Sequence, residues 1–313
     1  MRSPMSSKAI SYLYVASTSY SGSTLLAFLL NAHSEMTSVS EVGGLIPSVD
    51  PESYRCSCGE RFLDCTFYKE LKRRIEAQGS TFDLTDWRTQ FQLSEHRLLD
   101  IPLARPLRST FLERIRDGVV PFVPGYKRTL REIATRNMHF ARATLDITGK
   151  RVFVDAQKDP IRVKFLAGID GVELRVIHLV RDVRAGAASY MKHSGKHDAE
   201  RAARIWVTVH ESAERMRRYL SNDRWLRIRY EDVCRDHQAA IDLISDFVGA
   251  NRSEIPEGFF DLEHHIIGNK MRLKRIDKVR LDNSWKQRLS AKDLDVIARV
   301  GGRMNRYLGG DWP

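Results

Sequence analysis

A chain of 313 residues with 42% hydrophobic content can bury one substantial core, which fits a single large domain with an insertion better than several independent modules. Charged residues make up 29% and do not segregate into long single-sign blocks, which excludes a mostly disordered chain. The net charge of +11 calls for anionic partners, without choosing among nucleotide, nucleic acid, membrane surface and polyanion.

In chain order, Arg2 and Lys8 lead into a short apolar run broken by Ser and Thr. That run is too short to span a bilayer and lacks the plain apolar centre of a secretory leader. No other stretch approaches about 20 uninterrupted apolar residues, so no transmembrane segment and a cytoplasmic location are expected. Ile10 to Ala16 reads as a buried strand, followed by a Ser/Thr/Gly turn and a largely buried helix over Thr24 to Ala32. From about Pro51 to Lys150 strand signals are few, and polar helical patterns predict a helical insertion over the carboxyl edge of the sheet, where open α/β folds bind ligands. It opens with Cys56, Cys58 and Cys65 in CSCGERFLDC; the fourth cysteine, Cys234, is remote. No second Cys/His pair with finger-like spacing follows, so reduced structural thiols and no metal are expected.

Arg151 to Asp155 is a predicted strand, with Asp159-Pro160 as N-cap and N1 of the helix IRVKFLAGI. Leu174 to Val180 and Trp225 to Tyr230 are further strands. Helices are predicted over Arg184 to Met191, Ala199 to Leu220 and Asp236 to Val248. Repeated strand–helix units imply an α/β fold: a P-loop-like parallel sheet flanked by helices, with the helical insertion inside one domain spanning 1–313. The stretch Lys270 to Arg288 carries eight Lys/Arg against two Asp.

The chemistry concentrates at strand ends. Ser17-Thr18-Ser19-Tyr20-Ser21-Gly22-Ser23-Thr24 lies between a strand and a helix. There unpaired backbone N–H groups and the helix dipole favour a phosphate. Gly22 permits close backbone approach, and Ser21, Ser23 and Thr24 offer hydroxyls. Taken alone, SGST reads more readily as an ordinary cap. A Walker loop needs G-x-x-x-x-G-K-[ST], and no Lys lies here. Arg181 ends a strand and Ser189 follows eight residues later, so a guanidinium and a hydroxyl can converge on one phosphate. A solvated or salt-bridged strand-end Arg is the plain alternative.

SYSGSTLLAFLLNAHSEM resembles the 5′-phosphosulfate loop of PAPS-dependent sulfotransferases (PAPS is 3′-phosphoadenosine-5′-phosphosulfate), in the form seen in the tyrosylprotein and carbohydrate enzymes. LVRDVRAGAASYMK is similar to their 3′-phosphate motif, which gives that role to Arg181 and Ser189. The resemblance implies that Glu41, in SVSEVGGL, is the catalytic base, and that Lys158, in QKDP, stabilises charge on the bridging oxygen. Tyr230, in RYEDV, matches a tyrosine near the nucleotide or is a core aromatic. HHIIGNKMRLKRIDKVRLDNSW is similar to the carbohydrate-type segment in which Gly268, Asn269 and Arg272 would close over the nucleotide, with Arg280 a weaker candidate. His33 matches a mainly structural position, and His193 or His265 is the fallback base. One departure stands out: Tyr20 occupies a position where the family usually carries Arg or Lys, and Lys158 is the candidate replacement cation.

These readings imply in-line sulfuryl transfer from PAPS, with PAP as product, to a hydroxyl of a carbohydrate, lipid, small molecule or peptide tyrosine. The basic composition favours an anionic acceptor, and no nucleic-acid partner or metal is expected. A nucleotide-dependent kinase of related fold and a non-catalytic polyanion-binding module are the rivals.

Overall fold

Strands buried on both faces lose the apolar–polar alternation of a half-exposed sheet and become continuous apolar runs. ISYLYVA and, from Val176 on, VELRVIHLV are close to this pattern, and both are inner strands of a five-stranded parallel sheet. The computed structural model describes residues 9–46, 49–92, 107, 109–195, 197–274 and 278–312. The strands are β1 (Ile10–Ala16), β2 (Met36–Ser40), β3 (Val152–Asp155), β4 (Val172–Val180) and β5 (Trp225–Arg229), in the order β2-β3-β1-β4-β5. The N-terminal segment through Lys8, residues 93–106 of the expected insertion and residues 275–277 of the basic stretch lie outside the described residues.

The period of two sends alternate residues into two cores. Tyr12, Tyr14, Phe153 and Val176 pack on one face with α2 (Thr66–Ala77) and α4 (Tyr126–Thr148). Leu13, Val15, Val154 and Ile177 pack on the other with α1 (Ser23–Ala32) and α9 (His237–Val248). The shorter α3 (Thr110–Val119) also falls between β2 and β3. Beyond β3 come α5 (Arg162–Leu166), α6 (Val183–Ser194), α7 (Ala199–Met216) and α8 (Tyr230–Arg235). The chain finishes with α10 (Trp285–Arg288) and α11 (Ala291–Tyr307). A third core joins α6, α7 and α11 around Val183, Trp206 and Ile297.

Three elements depart from the sequence reading. The strand β2, MTSVS, is too hydroxyl-rich to announce itself, yet all five residues are buried. Two of its hydroxyls are satisfied within the fold: Ser38 Oγ donates to the Val154 carbonyl (3.0 Å), and Thr37 Oγ1 donates to Asn31 Oδ1 (3.3 Å), while Ser40 Oγ is buried without a partner among the described residues. Helix α11 carries Gly301 and Gly302, which weaken its signal. Gly301 is there for close packing, since a Cβ would stand 2.7 Å from Val183 Cγ2. The helix after Pro160 is shortened to Arg162–Leu166; Asp159 still organises the approach, accepting from the Ile161 N–H through Oδ1 (3.3 Å) and from the Arg162 N–H through its carbonyl (3.1 Å).

A buried ion pair joins the sheet to the segments between β2 and β3. Arg162 donates to Asp155 Oδ2 through Nη2 at 2.7 Å and Nε at 3.0 Å. Its other donors reach the Thr89 carbonyl (2.9 Å) and Asn137 Oδ1 (2.8 Å), while the Tyr12 hydroxyl donates to Asp155 (2.8 Å). Burial, reinforced by Asp155, holds the Tyr12 phenol well above its ordinary pKa, so it remains a donor. Arg162→Met, which strands the Asp155 carboxylate, is expected to cost about 3–5 kcal/mol. The Arg162→Met/Asp155→Leu double variant is expected to cost less than the single one. Urea denaturation midpoints of the two variants against the parent check this.

Candidate active site

Functional side chains gather where β1, β2, β3 and β4 end, which is the carboxyl edge of the sheet. After β1 the backbone turns through Tyr20 (φ 63°) and Gly22 (φ 92°) into α1. Gly22 is required twice over. Its φ is left-handed, and a Cβ would stand 2.2 Å from the Tyr230 ring. The first intrahelical bond is Leu26 N–H to the Gly22 carbonyl (3.0 Å), and no side chain caps the helix. The N–H groups of its opening turn are therefore left for an anion. Ser17 Oγ and Thr18 Oγ1 are buried without a hydrogen-bond partner among the described residues. The Ser21 hydroxyl is engaged, donating to the Thr18 carbonyl (2.6 Å), so Ser23 and Thr24 are the better placed donors.

Tyr20 is packed rather than free. Its ring stacks on His193 (4.8 Å between centroids) and meets Tyr190 edge-on (5.1 Å). Its carbonyl accepts from Arg181 Nη1 at 2.9 Å. Arg181 follows β4 directly, is largely buried, and lies over the Tyr230 ring at 4.6 Å. Asp282 pairs with it at 3.2 Å, and its Nε has no partner among the described residues. Tyr230 lies in the core and under the Arg181 guanidinium. Ser189 is buried in the second turn of α6, beside Tyr190, which bonds to Ser19; no direct hydrogen bond joins it to Arg181.

Glu41 follows β2, and its position depends on a distortion of that strand. The β2–β3 register shifts between Ser38 and Ser40, and Ser40 takes a left-handed φ of 69°. The Ser40 N–H is held by Ser38 Oγ (3.0 Å) and its carbonyl by the Ala156 N–H (2.7 Å). Lys158 leaves β3 on a loop pinned by Gln157 N–H to Asp155 Oδ1 (2.8 Å) and by the Tyr14 hydroxyl to the Gln157 carbonyl (2.5 Å). The Lys158 ammonium and Glu41 Oε1 form a direct ion pair, each side chain about 18% exposed.

Over this pair lies the segment bearing Gly268 and Asn269. Gly268 sits against Glu41, where a Cβ would stand 2.7 Å from Oε1. The Gly268 N–H donates to the Tyr54 hydroxyl (2.7 Å), and Asn269 Oδ1 caps the following turn at the Met271 N–H (3.0 Å). Arg272 supports this turn from below, donating to the Gly268 and Arg55 carbonyls (2.8 and 2.9 Å). Arg280 is exposed and belongs to no contact described here. His33 is structural, accepting from the Glu35 N–H (3.0 Å) and bonding Ser245 Oγ (3.1 Å). His265 stacks on Phe67 beside the cysteines, away from Glu41.

Ser19, Tyr20, Glu41, Lys158, Gly268 and Asn269 line one cavity of about 340 Å³, whose remaining wall is Gly44, Leu45, Ile46, Val49 and Tyr54. Larger hollows of about 480 and 690 Å³ contain none of these groups. Sequence reasoning did not find Tyr54, whose hydroxyl both donates to and accepts from Gly268; an isolated Tyr at the start of the insertion carries no motif.

A profile described as the sulfotransferase family matches residues 13–254. No curated protein matches the chain. Among solved structures it is similar to the sulfotransferase domain from the Synechococcus PCC 7002 olefin synthase, at 18% identity and TM-score 0.57 over 98% of this chain and 97% of that one. It is also similar to the sulfotransferase domain from the curacin biosynthetic pathway, at 14% identity and TM-score 0.50 over 98% and 100% of the two chains. These likenesses give the fold.

Gly22→Ala is expected to cost about 1–3 kcal/mol from backbone strain and to displace Tyr230 as well. Adding Tyr230→Ala would remove the steric clash but not the strain, so the double variant should lose affinity for the anion while regaining none of the strain energy. Calorimetric unfolding and nucleotide titration of the two variants check both parts.

Proposed function

The chain belongs to the sulfotransferase family, and we propose that it transfers the sulfuryl group of PAPS to the hydroxyl of a small, largely apolar acceptor, with Glu41 as base and Lys158 as the cation at the leaving oxygen. The observation that carries this reading is the Glu41–Lys158 pair, assembled from the ends of two strands beside the phosphate loop.

The residues present suit the donor. The open N-terminus of α1, the buried hydroxyls of Ser17 and Thr18, and Ser23 and Thr24 would hold the 5′-phosphate end. Arg181, with Ser189 on the next helix, would hold the 3′-phosphate, and a guanidinium already over Tyr230 is pre-oriented for it. Bound PAPS supplies an electrophilic sulfur and a phosphate leaving group. Glu41 takes the proton of the acceptor hydroxyl as its oxygen bonds to sulfur. Lys158 offsets the negative charge that the broken S–O bond leaves on the phosphate oxygen. In a partly closed cavity each charge acts more strongly than in water. Lys158 also supplies a cation beside the loop position where Tyr20 offers none.

The lining supports the acceptor class. Glu41 and Lys158 are its only charged members among the described residues and offset each other, leaving no surplus cation for an acidic substrate. Leu45, Ile46 and Val49 supply an apolar wall, and the volume suits a small molecule rather than a polymer chain.

Glu41→Gln and Lys158→Ala are each expected to lower kcat by about 10²–10⁴-fold, with PAP affinity unchanged in Glu41→Gln and weakened in Lys158→Ala, which loses the cation beside the 5′-phosphate. Labelled-sulfate transfer to a panel of apolar alcohols, oligosaccharides and tyrosine peptides, with calorimetric titration of PAP and AMP, measures all of this. Wild-type turnover by both variants would overturn the catalytic roles. Equal affinity for PAP and AMP would overturn the 3′-phosphate site, and a preference for oligosaccharide or peptide would overturn the acceptor class.

A further inference from the structure

The cysteines at the start of the insertion do not scatter into the core as separate thiols. Cys56, Cys58 and Cys65 converge with His265, which arrives from 200 residues downstream, and the four ligand atoms all lie within 4.8 Å of one another. Cys58 Sγ and Cys65 Sγ are 3.7 Å apart, and His265 Nδ1 lies 3.4 Å from Cys65 Sγ and 3.8 Å from Cys56 Sγ. A tetrahedral zinc ion with Zn–S near 2.3 Å and Zn–N near 2.0 Å places sulfurs about 3.8 Å apart and sulfur from nitrogen about 3.5 Å. The three separations of 3.4–3.8 Å match that tetrahedron, and the widest, at no more than 4.8 Å, lies within about 1 Å of it. A disulfide would use two of the sulfurs and leave the third sulfur and the imidazole without a purpose at this spacing.

The surroundings are those of a metal ligand set. The imidazole turns Nδ1 toward the sulfurs and Nε2 toward Glu263 Oε1 (3.2 Å), which fixes the ring as a second carboxylate shell does at zinc. Phe67 stacks on the same ring at 4.4 Å with an interplanar angle of 8°. Backbone N–H groups of Cys58, Glu60 and Tyr68 hydrogen bond to the sulfurs of Cys56, Cys58 and Cys65 respectively, an arrangement that stabilises thiolates. Arg272 is buried nearby, over Tyr54 at 3.9 Å, with no ion-pair partner among the described residues. Three thiolates around a dication leave one net negative charge, which adds to the Glu41 carboxylate as counter-charge near this guanidinium.

We propose that Cys56, Cys58, Cys65 and His265 bind one structural zinc ion. All four positions are filled by protein, so the ion has no open site for substrate and its role is to fasten. It ties the chain at 56–65 to the segment 264–272, alongside Ser57 Oγ to the His264 carbonyl (2.6 Å), the Ile266 N–H to Ser57 Oγ (2.8 Å) and the Tyr68 hydroxyl to the His265 carbonyl (2.5 Å). That segment presents Gly268 and Asn269 to the cavity. Binding would displace the remaining thiol protons to solvent, with no change of oxidation state.

The full chain, purified under reducing conditions without chelator, is expected to carry one zinc per chain by elemental mass spectrometry. Exchange for cobalt should give the intense visible bands and thiolate charge transfer of a tetrahedral S₃N site, and His265→Ala should alter those bands while Cys234→Ser should not. Because a ligand variant could fail to fold, the cobalt spectrum of the unmodified chain decides by itself. Folded chain that holds under a tenth of an equivalent of zinc and gives no tetrahedral cobalt spectrum overturns the proposal, as does a Cys58–Cys65 disulfide in that protein. Metal retained unchanged by a folded Cys65→Ser variant also overturns it.

Discussion

Arg162 and Asp155 are both essentially withdrawn from water, a situation that costs several kcal/mol per ion unless every remaining hydrogen-bonding group finds a partner. Here the partners come from widely separated parts of the chain: Tyr12 on β1, Asn137 on α4 and the Thr89 carbonyl. Asn137 Nδ2 closes the network by donating to the same Thr89 carbonyl (2.9 Å). The pair therefore holds only if the sheet and the segments between β2 and β3 are docked in one arrangement. It also brackets Lys158, which lies between the two charged residues in sequence, so fixing β3 and the start of α5 fixes the loop that carries the ammonium. Thr89 donates its hydroxyl to the Val42 carbonyl, which extends the same constraint to the residue after Glu41. Both candidate catalytic groups are positioned by one desolvated ion pair.

Strain is concentrated where those groups are aimed. Ser40 and Tyr20 are non-glycine residues with left-handed φ, a conformation that persists only when surrounding contacts over-determine it. At Ser40 the contacts are the Ser38 hydroxyl and the Ala156 N–H; at Tyr20 they are Arg181, Tyr190 and His193. The first bend turns Glu41 toward Lys158, and the second turns the Tyr20 carbonyl to Arg181. Arg181 thus braces the loop after β1 with one nitrogen while keeping another unpaired, which under the proposed role would make donor recognition and loop conformation parts of one structure.

The central strands were legible because doubly buried parallel strands write themselves largely as apolar runs, and the loop after β1 was legible only because its Ser/Gly turn stands in chain order with Glu41, Lys158, Arg181 and Ser189. Arg181 and Lys158 stood out as charges at predicted strand ends. The strand β2 was invisible: the Thr37 and Ser38 hydroxyls of MTSVS find their partners within the fold, and no local period records that. The Ser21 hydroxyl was counted as a donor to ligand, whereas the turn consumes it. His265 stood out only as a fallback base, since its cysteine companions are 200 residues earlier and only the return of the chain over the insertion brings them together. In each case what was missed is a long-range contact between residues whose own neighbourhoods look ordinary.

The cavity has a floor and a roof made by different physics. Its floor is the end of a parallel sheet, where Glu41, Lys158 and Arg181 are set by strand register and buried charge, so changes there alter the chemistry and the fold together. Its roof, from Tyr54 and the segment around Gly268, is joined to the floor mainly through side chain–backbone hydrogen bonds and the close approach of Gly268 to Glu41. Leu45, Ile46 and Val49 belong to the loop between the two. Such a loop can be rebuilt without disturbing a desolvated ion pair or a strand register. If Glu41, Lys158 and Arg181 have the roles proposed for them, acceptor choice can change by altering the loop and the roof while these three stay in place, provided the roof has an anchor of its own beside Tyr54, Ser57 and Tyr68.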